Sequence, residues 1–63
     1  MALGLLIYMA GEDEPYIVKG ALKVGYVKER IRRGEWVWVP SKDGCGDDRI
    51  NGRLVTKVAR VDL

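Results

Sequence analysis

Two tryptophans separated by one residue, Trp36 and Trp38, are the side chains of this sequence best suited to bind another molecule. They lie in segment 34–40, where alternation of Trp and Val predicts a β-strand. Alternate side chains on a strand point to opposite faces, so the two Trp share one face and Val37 and Val39 share the other. The Trp pair is then either the bulky centre of a core or a displayed platform. A displayed platform could stack on unpaired bases or be buried by a partner chain.

Basic side chains are concentrated around this strand. Residues 16–40 hold six basic and two acidic residues, a local charge of +4, whereas the whole chain carries +2. A clustered basic stripe is typical of nucleic-acid binding, because Lys and Arg contact phosphates, although charge runs also occur as plain solvated faces. The predicted nucleic-acid-binding residues are these six basic residues and the two tryptophans: Lys19, Lys23, Lys28, Arg30, Arg32, Arg33, Trp36 and Trp38.

The sequence offers few groups for catalysis or metal binding. It has no His, and Cys45 is its only cysteine, which excludes a Cys/His zinc site and an internal disulfide. A catalytic thiol at Cys45 would need Lys or a carboxylate as its base. The acidic loop 43–48 lacks the ligand spacing of an EF-hand. We therefore expect a non-enzymatic protein with no catalytic residues, no metal site and no cofactor.

The length of 63 residues predicts a single small domain over residues 1–63. Without a disulfide such a domain needs tight packing or a partner chain, and we expect a homo-oligomer. The apolar segment 2–10 is too short to span a bilayer and lacks the basic start of a signal peptide, so we expect no membrane association and a cytoplasmic location. Scarce amides with abundant Lys, Arg and Glu are typical of a thermophilic source.

The elements that position the basic and aromatic residues are predicted mostly as strands. Segment 2–10 is apolar on both faces, which indicates a strand in the centre of a sheet or at a subunit contact. Residues 16–23 alternate as a strand does. Residues 24–33 fit either a short helix, with Gly34 as its C′ residue, or a continuation of that strand.

The dipeptide Asn51-Gly52 is the strongest local turn signal. It favours a type I′ turn, in which both central residues need positive φ. We therefore expect a hairpin that pairs residues 48–50 with residues 53–61.

Four or five strands with one short helix near residues 24–33 predict a mainly β or α+β domain. A small curled sheet, or an SH3-like or OB-like barrel, is the first choice because closure removes exposed edges. A winged-helix-like arrangement is the alternative. Residues 27–40, Val-Lys-Glu-Arg-Ile-Arg-Arg-Gly-Glu-Trp-Val-Trp-Val-Pro, resemble the segment from recognition helix to wing in excisionase-like and MerR-like winged-helix proteins. That resemblance implies a basic helix docked on DNA. The first helix of that family would fall at residues 5–20, where this sequence predicts strand, turn and strand.

Two functions fit these patterns. The first is a small nucleic-acid-binding domain that uses the basic stripe and the Trp strand, with DNA or RNA, single or double strand, left open. The alternative is a structural or protein-interaction module that self-associates through its apolar N-terminal strand and its Trp face. The two differ in whether Trp36 and Trp38 contact a nucleic acid or another protein chain.

Overall fold

The structure, a computed structural model, describes residues 2–63 as two antiparallel sheets and one α-helix. The elements in chain order are β1 (Leu3–Met9), β2 (Tyr16–Lys19), α1 (Ala21–Arg32), β3 (Trp36–Pro40), β4 (Asp47–Asn51), a 3-10 turn (Gly52–Leu54) and β5 (Val55–Asp62). Strand β1 is central in the first sheet, between β2 and β5, and β3 pairs with β4 in the second. This confirms a mainly β or α+β domain with one short helix. Within residues 2–63 the two sheets do not pair into a closed barrel.

The core lies between the inner face of the three-stranded sheet, the helix and the hairpin. It is almost entirely aliphatic, since Tyr16 is its only aromatic member within the described range. Its buried residues are Leu5, Ile7, Met9, Tyr16, Val18, Val24, Val27, Val37, Val39 and Ile50. Burial of this apolar surface is the main stabilising contribution to a domain of this size. Neither tryptophan belongs to it.

The helix begins earlier than the sequence indicated, and the strand before it is shorter. Strand β2 ends at Lys19 because Gly20 adopts a φ of 94°, a left-handed conformation that breaks the extended run. The carbonyl of Gly20 then accepts the first helical bond from the N–H of Val24 at 2.9 Å. The predicted strand over residues 16–23 is therefore wrong beyond Lys19.

Residues 24–33 are helical up to Arg32, not a continuing strand. The i, i+3, i+7 alignment of Val24, Val27 and Ile31 turns these side chains toward the core. Gly34, at φ 72°, donates to the carbonyl of Ile31, and Glu35 donates to the carbonyl of Arg30. These two bonds form the Schellman motif expected of a glycine at C′, and they redirect the chain into β3.

The predicted hairpin around Asn51-Gly52 is wrong. Asn51 has a β-region φ of −90°, and its side chain accepts from the N–H of Arg53 to start the 3-10 turn. Gly52 is buried, and its N–H donates to the carbonyl of Glu35 at 2.9 Å. Strand β4 pairs instead with β3, through a loop in which Gly44 and Gly46 take positive φ, while β5 crosses to β1.

A polar cluster joins this loop to the turn after β1. The hydroxyl of Tyr16 donates to Asp48 Oδ2 at 3.3 Å, and Lys42 binds Glu12 while its ammonium lies 4.8 Å from the Tyr16 ring centroid. Burial, helped by the charges of Glu12 and Asp48, raises the pKa of the Tyr16 hydroxyl. The hydrogen bond to Glu12 raises the pKa of Lys42. The cluster ties the two loops together on the side of the β3–β4 hairpin where Tyr16 enters the core.

Candidate nucleic-acid interface

The two tryptophans are displayed on the outer face of the hairpin. Val37 and Val39 are 3% and 0% exposed, whereas Trp36 and Trp38 are 49% and 57% exposed. The strict alternation of β3 thus places valine in the core and tryptophan toward solvent. Of the two interpretations that the sequence left open, the structure selects the displayed platform.

One flank of helix α1 lies beside the Trp face. Lys23, Tyr26 and Arg30 occupy i, i+3 and i+7 on that flank. Together with the hairpin they enclose an open groove of about 440 Å³, which we call the aromatic groove. Its lining residues are Lys23, Tyr26, Arg30, Glu35, Trp36, Val37, Trp38 and Arg49.

Cationic side chains in the groove lie over aromatic rings. The guanidinium carbon of Arg49 is 4.9 Å from the Trp36 ring centroid, and that of Arg30 is 5.1 Å from the Tyr26 ring centroid. Such cation–π contacts contribute about 0.5–1 kcal/mol at exposed sites. They hold the guanidinium groups of Arg30 and Arg49 at the groove wall.

The charge of the groove is positive. Lys23, Arg30 and Arg49 contribute three cations, and Glu35 is the one carboxylate among the lining residues. Glu35 lies 3.6 Å from Arg30, an exposed ion pair that is worth little in water. The arrangement therefore favours an anionic ligand that also presents a flat apolar surface.

The structure brings together four of the eight sequence-predicted residues. Lys23, Arg30, Trp36 and Trp38 line the aromatic groove. Lys19 lies on β2, on the face that alternates with buried Val18, away from the core.

The remaining three predicted residues do not line the aromatic groove. Arg33, the C-cap residue of α1, lines a neighbouring pocket with Tyr26, Arg30 and Glu35. At 3.6 residues per turn, Lys28 and Arg32 project from the flank of α1 opposite Lys23. Arg32 and Arg33 both bind the carboxylate of Glu29, at 2.6 and 3.2 Å. The hydrogen bond from Arg32 lowers the pKa of the Glu29 carboxyl. Arg32 and Arg33 are thus already paired with an acid of α1, whereas Lys28 has no ion pair among residues 2–63.

Arg49 is the one cation among the lining residues that the sequence analysis missed. It is opposite Trp38 in the β3–β4 ladder, a position that exists only because β4 pairs with β3. Pairing residues 48–50 with residues 53–61, as the Asn-Gly signal suggested, places it away from the tryptophans. Residues 47–51, Asp-Asp-Arg-Ile-Asn, carry no alternating apolar pattern, so no signal in the sequence predicts this pairing.

The edge of the three-stranded sheet is less suited to bind such a ligand. A cavity of about 570 Å³ at the edge of the three-stranded sheet is lined by Leu3, Arg60, Val61 and Asp62, which include no aromatic ring. Within residues 2–63, no group of three or more His, Cys, Asp or Glu side chains is arranged to hold a metal ion. No helix in that range is long and apolar enough to cross a membrane.

Comparison of the chain with protein-family models, with curated proteins and with solved structures finds no match. A function therefore has to be inferred from the geometry and charge of the aromatic groove.

Proposed function

We propose that this chain is a small, non-enzymatic nucleic-acid-binding domain whose binding surface is the aromatic groove. The observation that carries the proposal is the meeting of three exposed aromatic rings and three cations in one groove. A nucleic acid is an anionic chain that also carries flat aromatic groups, so its chemistry matches both halves of the lining. We also propose the cytoplasmic location that the sequence predicts.

Each wall of the groove has a separate task in this function. Arg49 on the hairpin and Lys23 on the helix are free of carboxylate partners among residues 2–63, and they contact phosphates. The tryptophans contact the bases, an interaction worth about 1–3 kcal/mol per base. Because the cations are fixed on two different elements, they also define the path of the backbone between them.

The test is a pair of charge-matched double variants. Lys23→Ala with Arg49→Ala removes one Lys and one Arg from the groove, whereas Lys28→Ala with Arg32→Ala removes one Lys and one Arg from the opposite helix flank. Affinity for a labelled oligonucleotide is measured by fluorescence anisotropy between 50 and 200 mM salt, concentrations of the order used to expose counterion release.

We expect the groove variant to bind more weakly. We also expect the slope of log K against log salt to shrink by about 1.4–1.8 for two lost phosphate contacts. The flank variant should keep nearly the affinity of the unaltered protein. If both double variants lose affinity equally, only net charge matters and the groove is not the site.

A second candidate function is self-association, and one surface favours it. The outer sheet face, on the side of β1 away from the core, groups five apolar side chains: Leu6, Ile17, Ala59, Val61 and Leu63. Ile17 and Leu63 are 44% and 48% exposed, and within residues 2–63 no helix or strand covers this face. The predicted homo-oligomer would form here, on the opposite side of the core from the Trp face.

Sedimentation velocity over a 100-fold range of concentration distinguishes this candidate. Self-association predicts a concentration-dependent dimer that Ile17→Lys abolishes and Leu22→Lys, on the exposed helix surface, does not. A monomer at every concentration excludes the outer sheet face as a subunit contact.

A further inference from the structure

We infer that the ligand of the aromatic groove is single-stranded nucleic acid, held by one unpaired base stacked on Trp38. The inference rests on the proposed function and narrows it to one class of nucleic acid. It rests on three observations. The ring of Trp38 carries no cation from residues 2–63, two cations line the same groove, and two arginines at the end of the helix are paired with Glu29.

Trp38 is the ring available for stacking. It is the most exposed aromatic side chain of the groove, at 57%, compared with 49% for Trp36 and 54% for Tyr26. Trp36 and Tyr26 each already carry a guanidinium over the ring, from Arg49 and Arg30. Among residues 2–63, no cation is centred over the Trp38 ring. A flat ligand therefore meets the least competition at Trp38.

Within a nucleic acid, only an unpaired base can stack on an open aromatic ring. In a duplex each base face is covered by its stacked neighbours, and only base edges and phosphates are presented. Stacking on Trp38 therefore requires a base that is already single-stranded or that has been flipped out at a free-energy cost. The volume of the groove, about 440 Å³, falls in the range of small-molecule sites.

Two cations, Lys23 and Arg49, line the same groove as this ring. Arg49 is directly opposite Trp38 on the neighbouring strand, a separation of about 4.5–5.5 Å between Cα atoms in an antiparallel pair. Lys23 approaches from the helix on the other wall. A base on Trp38 thus has a phosphate donor beside it on the hairpin and another across the groove, which is the arrangement that tracks a single backbone.

The helix is less suited to docking on a duplex. The resemblance of residues 27–40 to a recognition-helix segment implies a helix whose basic end contacts DNA phosphates. Here Glu29 binds both Arg32 and Arg33, so the two guanidinium groups at that end share one carboxylate. Of the basic residues at this end of the segment, only Lys28 has no ion pair among residues 2–63.

The experiment compares three labelled ligands of twelve nucleotides at 50 mM salt: a mixed-sequence single strand, the same strand annealed to its complement, and an abasic strand with the same number of phosphates. Anisotropy titrations are run with the unaltered protein and with Trp38→Leu and Trp38→Phe. Circular dichroism checks that both variants are folded, which is expected because the ring lies outside the core.

We expect the single strand to bind more tightly than the duplex and the abasic strand. Trp38→Leu should lower its affinity about 5- to 150-fold, the range for one stacked base, and Trp38→Phe should restore part of the loss. Affinity for the abasic strand should not change with either variant.

Equal binding of single strand and duplex, or a single-strand affinity that ignores Trp38→Leu, overturns the inference while leaving nucleic-acid binding in place. Equal binding of the abasic strand also overturns it, since phosphate contacts alone would then suffice. Failure of all three ligands to bind at 50 mM salt overturns the proposed function itself, and the inference with it.

Discussion

Arg49 holds its guanidinium over the ring of Trp36, with 4.9 Å between Cζ and the ring centroid, while its backbone is paired with that of Trp38. One basic residue of β4 therefore contacts or neighbours both tryptophans of β3. The pair covers part of one face of the Trp36 indole and leaves Trp38 uncovered. This asymmetry between two rings only two residues apart has a direct optical consequence.

The first prediction concerns the accessibility of Trp36. In a Trp38→Phe background, Arg49→Ala should raise the acrylamide quenching constant of the remaining Trp36, because it removes the guanidinium that shields the ring. Arg32→Ala removes the same charge from the far flank of the helix and should leave the constant unchanged. Equal quenching with and without the Arg49 side chain would show that the cation–π contact does not persist in solution.

The second prediction compares two glycines. A Cβ on Gly52 would lie 2.6 Å from the carbonyl oxygen of Glu35, a backbone atom, whereas a Cβ on Gly25 meets nothing within 4 Å. Gly52→Ala should lower the free energy of unfolding by about 1–3 kcal/mol through overpacking. Gly25→Ala should raise it by about 0.5–1 kcal/mol because Ala loses less backbone entropy in a helix. Urea unfolding followed by circular dichroism measures both changes.

The two substitutions should change the free energy of unfolding in opposite directions. If Gly52→Ala proved neutral, the 3-10 turn would not be packed under the backbone of Glu35, and the crossing from β4 to β5 would be open to the Asn-Gly hairpin after all.

Gly52 also shows why part of the fold escapes sequence-based prediction. Asn-Gly favours a type I′ turn within four neighbouring residues. The conformation at Gly52 is set instead by the backbone of Glu35, seventeen positions earlier in the chain. The end of α1, in contrast, was predictable because Gly34 and the apolar spacing of residues 24–31 are local signals that agree.

The candidate site was predictable to the same extent as its local elements. The period of β3 shows that Trp36 and Trp38 share a face, but which face is buried depends on how β3 packs against β2 and α1, a tertiary contact that the period does not encode. Arg49 enters the groove through strand pairing alone, and no spacing within β4 announces it. The period of β3 thus predicts that the two tryptophans share a face, whereas the position of Arg49 beside them depends on strand pairing.

The third prediction compares two leucines of opposite environment. Leu5 is fully buried in β1, and Leu22 is 93% exposed on α1. Leu5→Ala should cost about 2–5 kcal/mol through lost burial and the resulting cavity, whereas Leu22→Ala should change stability by less than about 0.5 kcal/mol. If Leu5→Ala unfolds the chain outright, Ile7→Val, at about 0.5–1.5 kcal/mol, keeps the core measurable. Thermal unfolding that ranks Leu22→Ala with the core variants would contradict the packing described above.

The fourth prediction concerns alkaline pH. Burial, then the charges of Glu12 and Asp48, raise the pKa of Tyr16 above its ordinary value of 10.0. Above pH 10 the unfolded chain loses this proton while the folded chain keeps it, so the folded state binds more protons and unfolding becomes easier as pH rises. The stabilising contribution is therefore complete below pH 10 and disappears as pH rises through the folded-state pKa.

Two substitutions isolate Tyr16 in urea titrations at pH 8, 9, 10 and 10.5. Tyr16→Phe should lower stability at pH 8 by about 1 kcal/mol, for the lost hydrogen bond to Asp48, and should flatten the fall above pH 10. Asp48→Asn removes one of the charges that raise the pKa of Tyr16 in the folded state, so the fall above pH 10 should be smaller and should end at a lower pH. Lys42, whose pKa is raised by Glu12, loses its proton in the same range and with the same sign, so it accounts for the dependence that remains in Tyr16→Phe. A Tyr16→Phe profile as steep as that of the unaltered protein would assign the whole alkaline loss to Lys42 and remove Tyr16 from it.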